Sequence, residues 1–160
     1  MPVLTNIIEI LDFAGEEIKR ADHLIYVSLK YTRTVDVLKS IIERLMNAFD
    51  YGFSALLQHA KDTKKISTVP ELQRIKIDVL RKVYSDDAHL MNFIGLYLLL
   101  KRINKADFDC SQEYRRHVTM TAHMDDSTVI EITIDIISDY FKQTKEFLHH
   151  VQNIIKDKEE

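Results

Sequence analysis

Apolar residues recur at three- and four-residue spacing between Thr5 and Tyr31: Ile7, Ile8, Leu11, Phe13, Ala14, Ile18, Ala21, Leu24, Ile25 and Val27. That period predicts one long amphipathic helix, with Thr5 placed to cap its start. A second helix is expected from Thr32 or Thr34 to about Lys61, on Val35, Leu38, Ile41, Ile42, Leu45, Met46, Phe49, Phe53, Leu56, Leu57 and Ala60. Gly52 within it lowers helicity and leaves room for close packing. Polar Lys61 to Lys65 forms a loop. A third, modestly hydrophobic helix is expected from Thr68-Val69-Pro70-Glu71 to about Tyr84, with Pro70 in the first turn, where no amide partner is lost.

Ser85-Asp86-Asp87 places acids at the positive end of a fourth helix. Its Leu90 to Leu100 segment is apolar nearly all round and is expected to be the buried centre. Asn104 to Asp109 is a connector. Ser111-Gln112-Glu113 then resembles the capped opening of a short helix running through His123, and Asp125-Asp126-Ser127-Thr128 is expected to cap the last helix. From Val129 to Ile136 the pattern alternates with period two, which taken alone fits a strand. Val129, Ile132, Ile136, Tyr140, Phe147, Val151 and Ile154 nevertheless extend a helical stripe beyond it, and a lone strand has no evident partner, so the helical reading is adopted. The expected fold is an all-α, up-and-down bundle of four or five long helices plus a short one, in a single domain over residues 1–160.

Composition fits this picture. The 160 residues are 46% hydrophobic and 29% charged, enough apolar area for one folded core, and 3 Gly and 2 Pro leave few turn residues for a multi-stranded β fold. Cys110 is the one cysteine and cannot form an intramolecular disulfide, so a cytoplasmic location is expected. No basic leader or apolar run of roughly 20 residues suggests secretion or a membrane span. A net charge of -3 gives no global attraction to polyanions, so contact with nucleic acid requires a local basic patch.

The chain has no Gly-rich phosphate loop, Cys-x-x-Cys pair or Gly-x-Ser-x-Gly turn. Glu113 and His117 at i,i+4 would supply only two ligands on a helix, and His149-His150 point apart. No cofactor is expected, although a metal-binding four-helix bundle stays open as an alternative.

Tyr114-Arg115-Arg116-His117-Val118-Thr119-Met120-Thr121-Ala122-His123 is the chemically suggestive stretch, because it concentrates two guanidinium groups and two imidazoles. Arginine offers a fixed fork of donors to phosphate, and histidine exchanges protons near neutral pH. Those groups suffice for cleaving RNA without metal. An imidazole takes the 2′-hydroxyl proton as that oxygen attacks phosphorus, while Arg116 stabilises charge on the phosphoryl oxygens.

Arg116, polar His117, the intervening Val118 to Ala122 and then His123, placed just ahead of a last long helix, resemble the Arg-x(4–6)-His motif of the HEPN superfamily. The resemblance implies a helical bundle that dimerises so that two motifs share a cleft. It also implies a metal-independent ribonuclease of the toxin type, with a nucleotidyltransferase-type antitoxin as partner. Arg116 and His123 would then be catalytic and His117 would assist them. Members that lack the activity serve as protein-interaction modules, which is the alternative reading.

Arg115 is expected to add an RNA contact. A second cluster, Lys19, Arg20, Lys30 and Arg33 with Tyr26 and Tyr31, could extend the surface through Arg20, Lys30 and Arg33. Both groups also have a purely structural reading. Arg115 and Arg116 could pair with Glu113 or Asp109, His123 could cap the short helix, and the second cluster could be a solvated face balanced by Glu16, Glu17, Asp22 and Asp36.

Overall fold

The computed structural model describes residues 6–157, so the expected cap at Thr5 lies outside the described residues. Asn6 caps the first helix, α1 (Ile7–His23), by accepting from the Ile8 N–H at 2.9 Å. The rod continues through a π-helical segment, Leu24–Ser28, and a final turn, Leu29–Tyr31. Its buried positions change spacing accordingly: Ala21, Ile25 and Leu29 follow one another at intervals of four, matching the wider π turn.

Thr34 caps α2 (Val35–Asp62), and Lys64 ends it in the left-handed region, with the Lys65 N–H returning to the Ala60 carbonyl. This helix is the centre of the molecule. It buries fourteen residues, against six on the helix expected to fill that role, α4 (Ala88–Lys105). Neighbours cover α2 on several sides, whereas Met91, Phe93, Leu98 and Leu99 of α4 remain half-buried. The intervening α3 (Gln73–Val83) starts three residues beyond Pro70, later than expected, and Leu72 at its N-cap has no side-chain acceptor to offer.

The expected short helix does not exist. Residues 107–132 form an antiparallel meander, β1 (Asp107–Ser111), β2 (Thr119–His123) and β3 (Val129–Ile132), before α5 (Ile134–Asp157). The fold is therefore mostly helical but not all-α. The register pairs Asp107 with His123 and Met120 with Ile132, so the isolated-strand objection fails: three short strands supply one another's partners. Met120, Ala122 and Ile132 are fully buried, and Lys39 of α2 reaches over the Phe108 ring of β1 at 4.6 Å.

Asp125 to Thr128 makes the β2–β3 turn rather than a helix cap. Asp126 accepts from the Thr128 N–H and hydroxyl, which with Arg102 holds its carboxyl below the usual range. Thr133 caps α5 instead, accepting from the Ile136 N–H. The buried stripe of α5 is Ile137, Phe141, Thr144, Phe147, Val151 and Ile155, one position away from much of the stripe expected from sequence.

Buried residues from all five helices and the sheet join one hydrophobic cluster. Its centre is aromatic, with Phe49 and Phe147 ring centroids 4.5 Å apart and Phe53 edge-on to Tyr97 at 5.1 Å. A Cβ on Gly52 would lie 2.4 Å from the Phe147 ring, so glycine permits the approach of α5 to α2. Among the described residues no helix is long and apolar enough to cross a membrane.

Candidate anion-binding site

Two segments far apart in sequence meet beside the start of α5. The first is the linker between Tyr31 and Val35, where extended Thr34 turns the chain into α2. The second is the β1–β2 loop, residues 112–118, in which Gln112 and Tyr114 adopt left-handed backbone conformations with φ of 56° and 64°. Two contacts lock them together. The Tyr114 N–H donates to the Arg33 carbonyl at 2.6 Å, and the Glu113 carboxylate accepts from the Val35 N–H at 3.3 Å, adding an acidic cap to α2.

The junction encloses a cavity of 310 Å³ lined by Arg33, Arg116, His117, Thr133, Ile134 and Asp135. Arg33 Nε is buried and meets no hydrogen-bond partner among the described residues. Neither Arg115 nor Arg116 forms an ion pair among the described residues, so the alternative pairing with Glu113 or Asp109 does not occur. Both carboxylates have other roles: Glu113 caps α2 and Asp109 binds His123. Two guanidinium groups and an imidazole thus border the first turn of α5, whose free N–H groups carry partial positive charge; Asp135 is the acid that opposes them.

His123 is elsewhere. It ends β2, exposed, with Nε2 2.8 Å from Asp109 Oδ2 on the neighbouring strand. The strand between Thr119 and His123 spans roughly 13 Å at the usual rise, so within one chain Arg116 and His123 border different cavities. The His123 cavity, 620 Å³, is lined by Lys101, Arg102 and Lys105 from the end of α4 together with Asp107 and Asp125. Arg102 is already bridged to Asp126 at 3.2 Å. Acids match the cations there, which leaves less net attraction for an anion than the cavity at the α5 start.

The remaining residues divide. Arg115 is exposed on the same loop as Arg116, and Lys30 is exposed in the last turn before the linker. Arg20 turns instead to the buried Glu17, donating at 2.8 Å, and Arg44 and Asn47 of α2 complete that carboxylate's shell. Its role is to join α1 to α2. Cys110 is exposed, and partial desolvation followed by the Glu113, Asp36 and Asp109 carboxylates holds its thiol above its ordinary value, against the needs of a nucleophile. Among the described residues no group of three or more His, Cys, Asp or Glu side chains is arranged to hold a metal ion.

In sequence, Arg33 groups with the basic residues of α1 and shows no link to Arg116, nor does Thr133 to the start of a helix. No local signal joins residues so far apart. No known protein family matches the chain, and neither does any curated protein or solved structure.

Proposed function

We propose that this protein binds RNA or a nucleotide through a phosphate group held between Arg33 and Arg116 at the start of α5. The observation that carries the reading is the convergence of these two guanidinium groups, unpaired with any carboxylate among the described residues, on a helix N-terminus. A phosphodiester supplies the acceptor that Arg33 Nε lacks, beside the positive end of α5. Titrating labelled RNA against wild type, Arg33→Ala and Arg116→Ala over a range of salt tests it. Each variant should bind more weakly across sequences, and its logarithmic salt slope should fall by about one. Equal binding by all three proteins, or none by any, would sink the proposal.

Cleavage is a second reading, favoured by the presence of His117 in the same cavity. Here His117, rather than His123, accepts the proton of a 2′-hydroxyl as that oxygen attacks phosphorus. The bond to the 5′-oxygen breaks and that oxygen takes a proton from water, leaving a 2′,3′-cyclic phosphate. Arg33 and Arg116 stabilise the charge that grows on the phosphoryl oxygens. An Arg116–His123 pair of the kind the HEPN resemblance implies would instead need two copies of the chain to share a cleft. Incubation with RNA in EDTA separates these mechanisms: loss of cleavage in His117→Ala supports the single-chain site, and loss confined to His123→Ala supports the shared one.

A further inference from the structure

Tyr31 and Tyr114 expose 83% and 73% of their surface, and each lies two residues before an arginine of the cavity. Four of the other five tyrosines are occupied: Tyr51 stacks on Phe13, Tyr26 meets Phe141 edge-on, and the Tyr84 and Tyr97 hydroxyls donate to Leu56 and Asp50; the fifth, Tyr140, is half-buried. Among the described residues Tyr31 and Tyr114 have no ring contact, and neither hydroxyl has a hydrogen bond. The Tyr114 N–H donates to the Arg33 carbonyl, and Tyr31 is within about 7 Å of chain from Arg33, so both residues attach close to the cavity. Tyr114 also holds a left-handed backbone, a conformation uncommon for a bulky residue, at the position that presents its ring to solvent.

Neither ring packs into the hydrophobic core, whereas an unpaired nucleic acid would use both. A phosphate held by Arg33 and Arg116 places its two flanking nucleotides at the rim, where exposed aromatic faces can stack on bases. In a duplex those faces are covered by neighbouring pairs. We infer that the ligand of this cavity is single-stranded RNA, with a phosphate between Arg33 and Arg116 and adjacent bases stacked on Tyr31 and Tyr114. This rests on the phosphate reading above and deepens it.

Fluorescence anisotropy with a 5′-labelled oligouridylate of about a dozen nucleotides, and with blunt duplex RNA of the same length, tests the inference on the full chain. Oligouridylate should bind more tightly than the duplex. Tyr31→Ala and Tyr114→Ala should each weaken its binding by roughly five- to a hundred-fold, as loss of one stacked base does, and Tyr31→Phe and Tyr114→Phe should restore it. Circular dichroism checks that each variant folds. Unchanged binding in both alanine variants, with oligouridylate and duplex bound alike and Arg116→Ala impaired, overturns the stacking inference and leaves the phosphate reading standing. Absence of binding to either RNA overturns both.

Discussion

The Tyr114 backbone N–H donates to the Arg33 carbonyl at 2.6 Å, fastening the loop that carries Arg116 and His117 to the linker that carries Arg33. With the Glu113–Val35 contact, that bond fixes the spacing of the two backbone segments that carry the guanidinium groups. Preset spacing matters because a guanidinium on a loose loop must be ordered before it can grip an anion.

The same loop contains relievable strain. Gln112 is exposed and sits at φ 56°, where a side chain is disfavoured and glycine is not. Gln112→Gly should raise stability by about 0.5–1 kcal/mol in urea denaturation and leave RNA binding unchanged. A drop in stability would show that the Gln112 side chain supports the loop.

Gly52→Ala should do the reverse. Helix propensity alone favours alanine by about 1 kcal/mol, but the added carbon meets the Phe147 ring at 2.4 Å inside a close-packed aromatic cluster. We expect a net loss of about 1–3 kcal/mol as α5 is forced off α2. A variant as stable as wild type would mean that Phe147 rotates aside at no cost.

Arg20→Ala separates architecture from ligand contact. Arg20 pairs with the buried Glu17, so its loss should lower stability by about 1 kcal/mol and leave RNA affinity unaltered. Weakened RNA binding at full stability would return Arg20 to the contact surface.

Asp50 gives a pH signature. Burial raises its carboxyl above the ordinary 3.8, more than the Tyr97 hydrogen bond, Lys101 and Lys76 lower it. A folded-state value above the unfolded one means that this group's contribution is fully present below pH 3.8 and is lost as pH rises through the folded value. Asn at this position keeps an oxygen for Tyr97 and Gln73, both of which donate to Oδ1. Asp50→Asn should therefore gain stability relative to wild type as pH rises from about 3 towards 7, measured by urea midpoints. A constant difference over that window would show that Asp50 ionises as readily in the folded chain as in the unfolded one.

The long helices were legible because their apolar stripes run for many turns, and Gly52 because a helix-weakening residue in a core helix needs a reason to be there. The meander was not. Val129 to Ile132 alternates, yet the stripe that follows it is nearly in phase, and β1 and β2 are short and lined with polar residues. That error carried into the site. Seven residues apart on a helix, Arg116 and His123 would share a face about 10 Å apart; here Arg116 lies in the loop before β2 and His123 at the far end of that strand. Arg116 and His117 were legible from residue type alone, while their meeting with Arg33 depends on a tertiary hydrogen bond.

The π-helical segment at Leu24–Ser28 acts as a phase shifter for the site. An extra residue in a helical rod turns everything beyond it by about 100° relative to everything before it. Deleting one residue there would leave Ile10, Ala14 and Ala21 seated on α2 while swinging Tyr31 and Arg33 around the axis, away from the β1–β2 loop. The Arg33 side of the cavity is thus aimed by a register defect a turn or two upstream, in residues that do not line it.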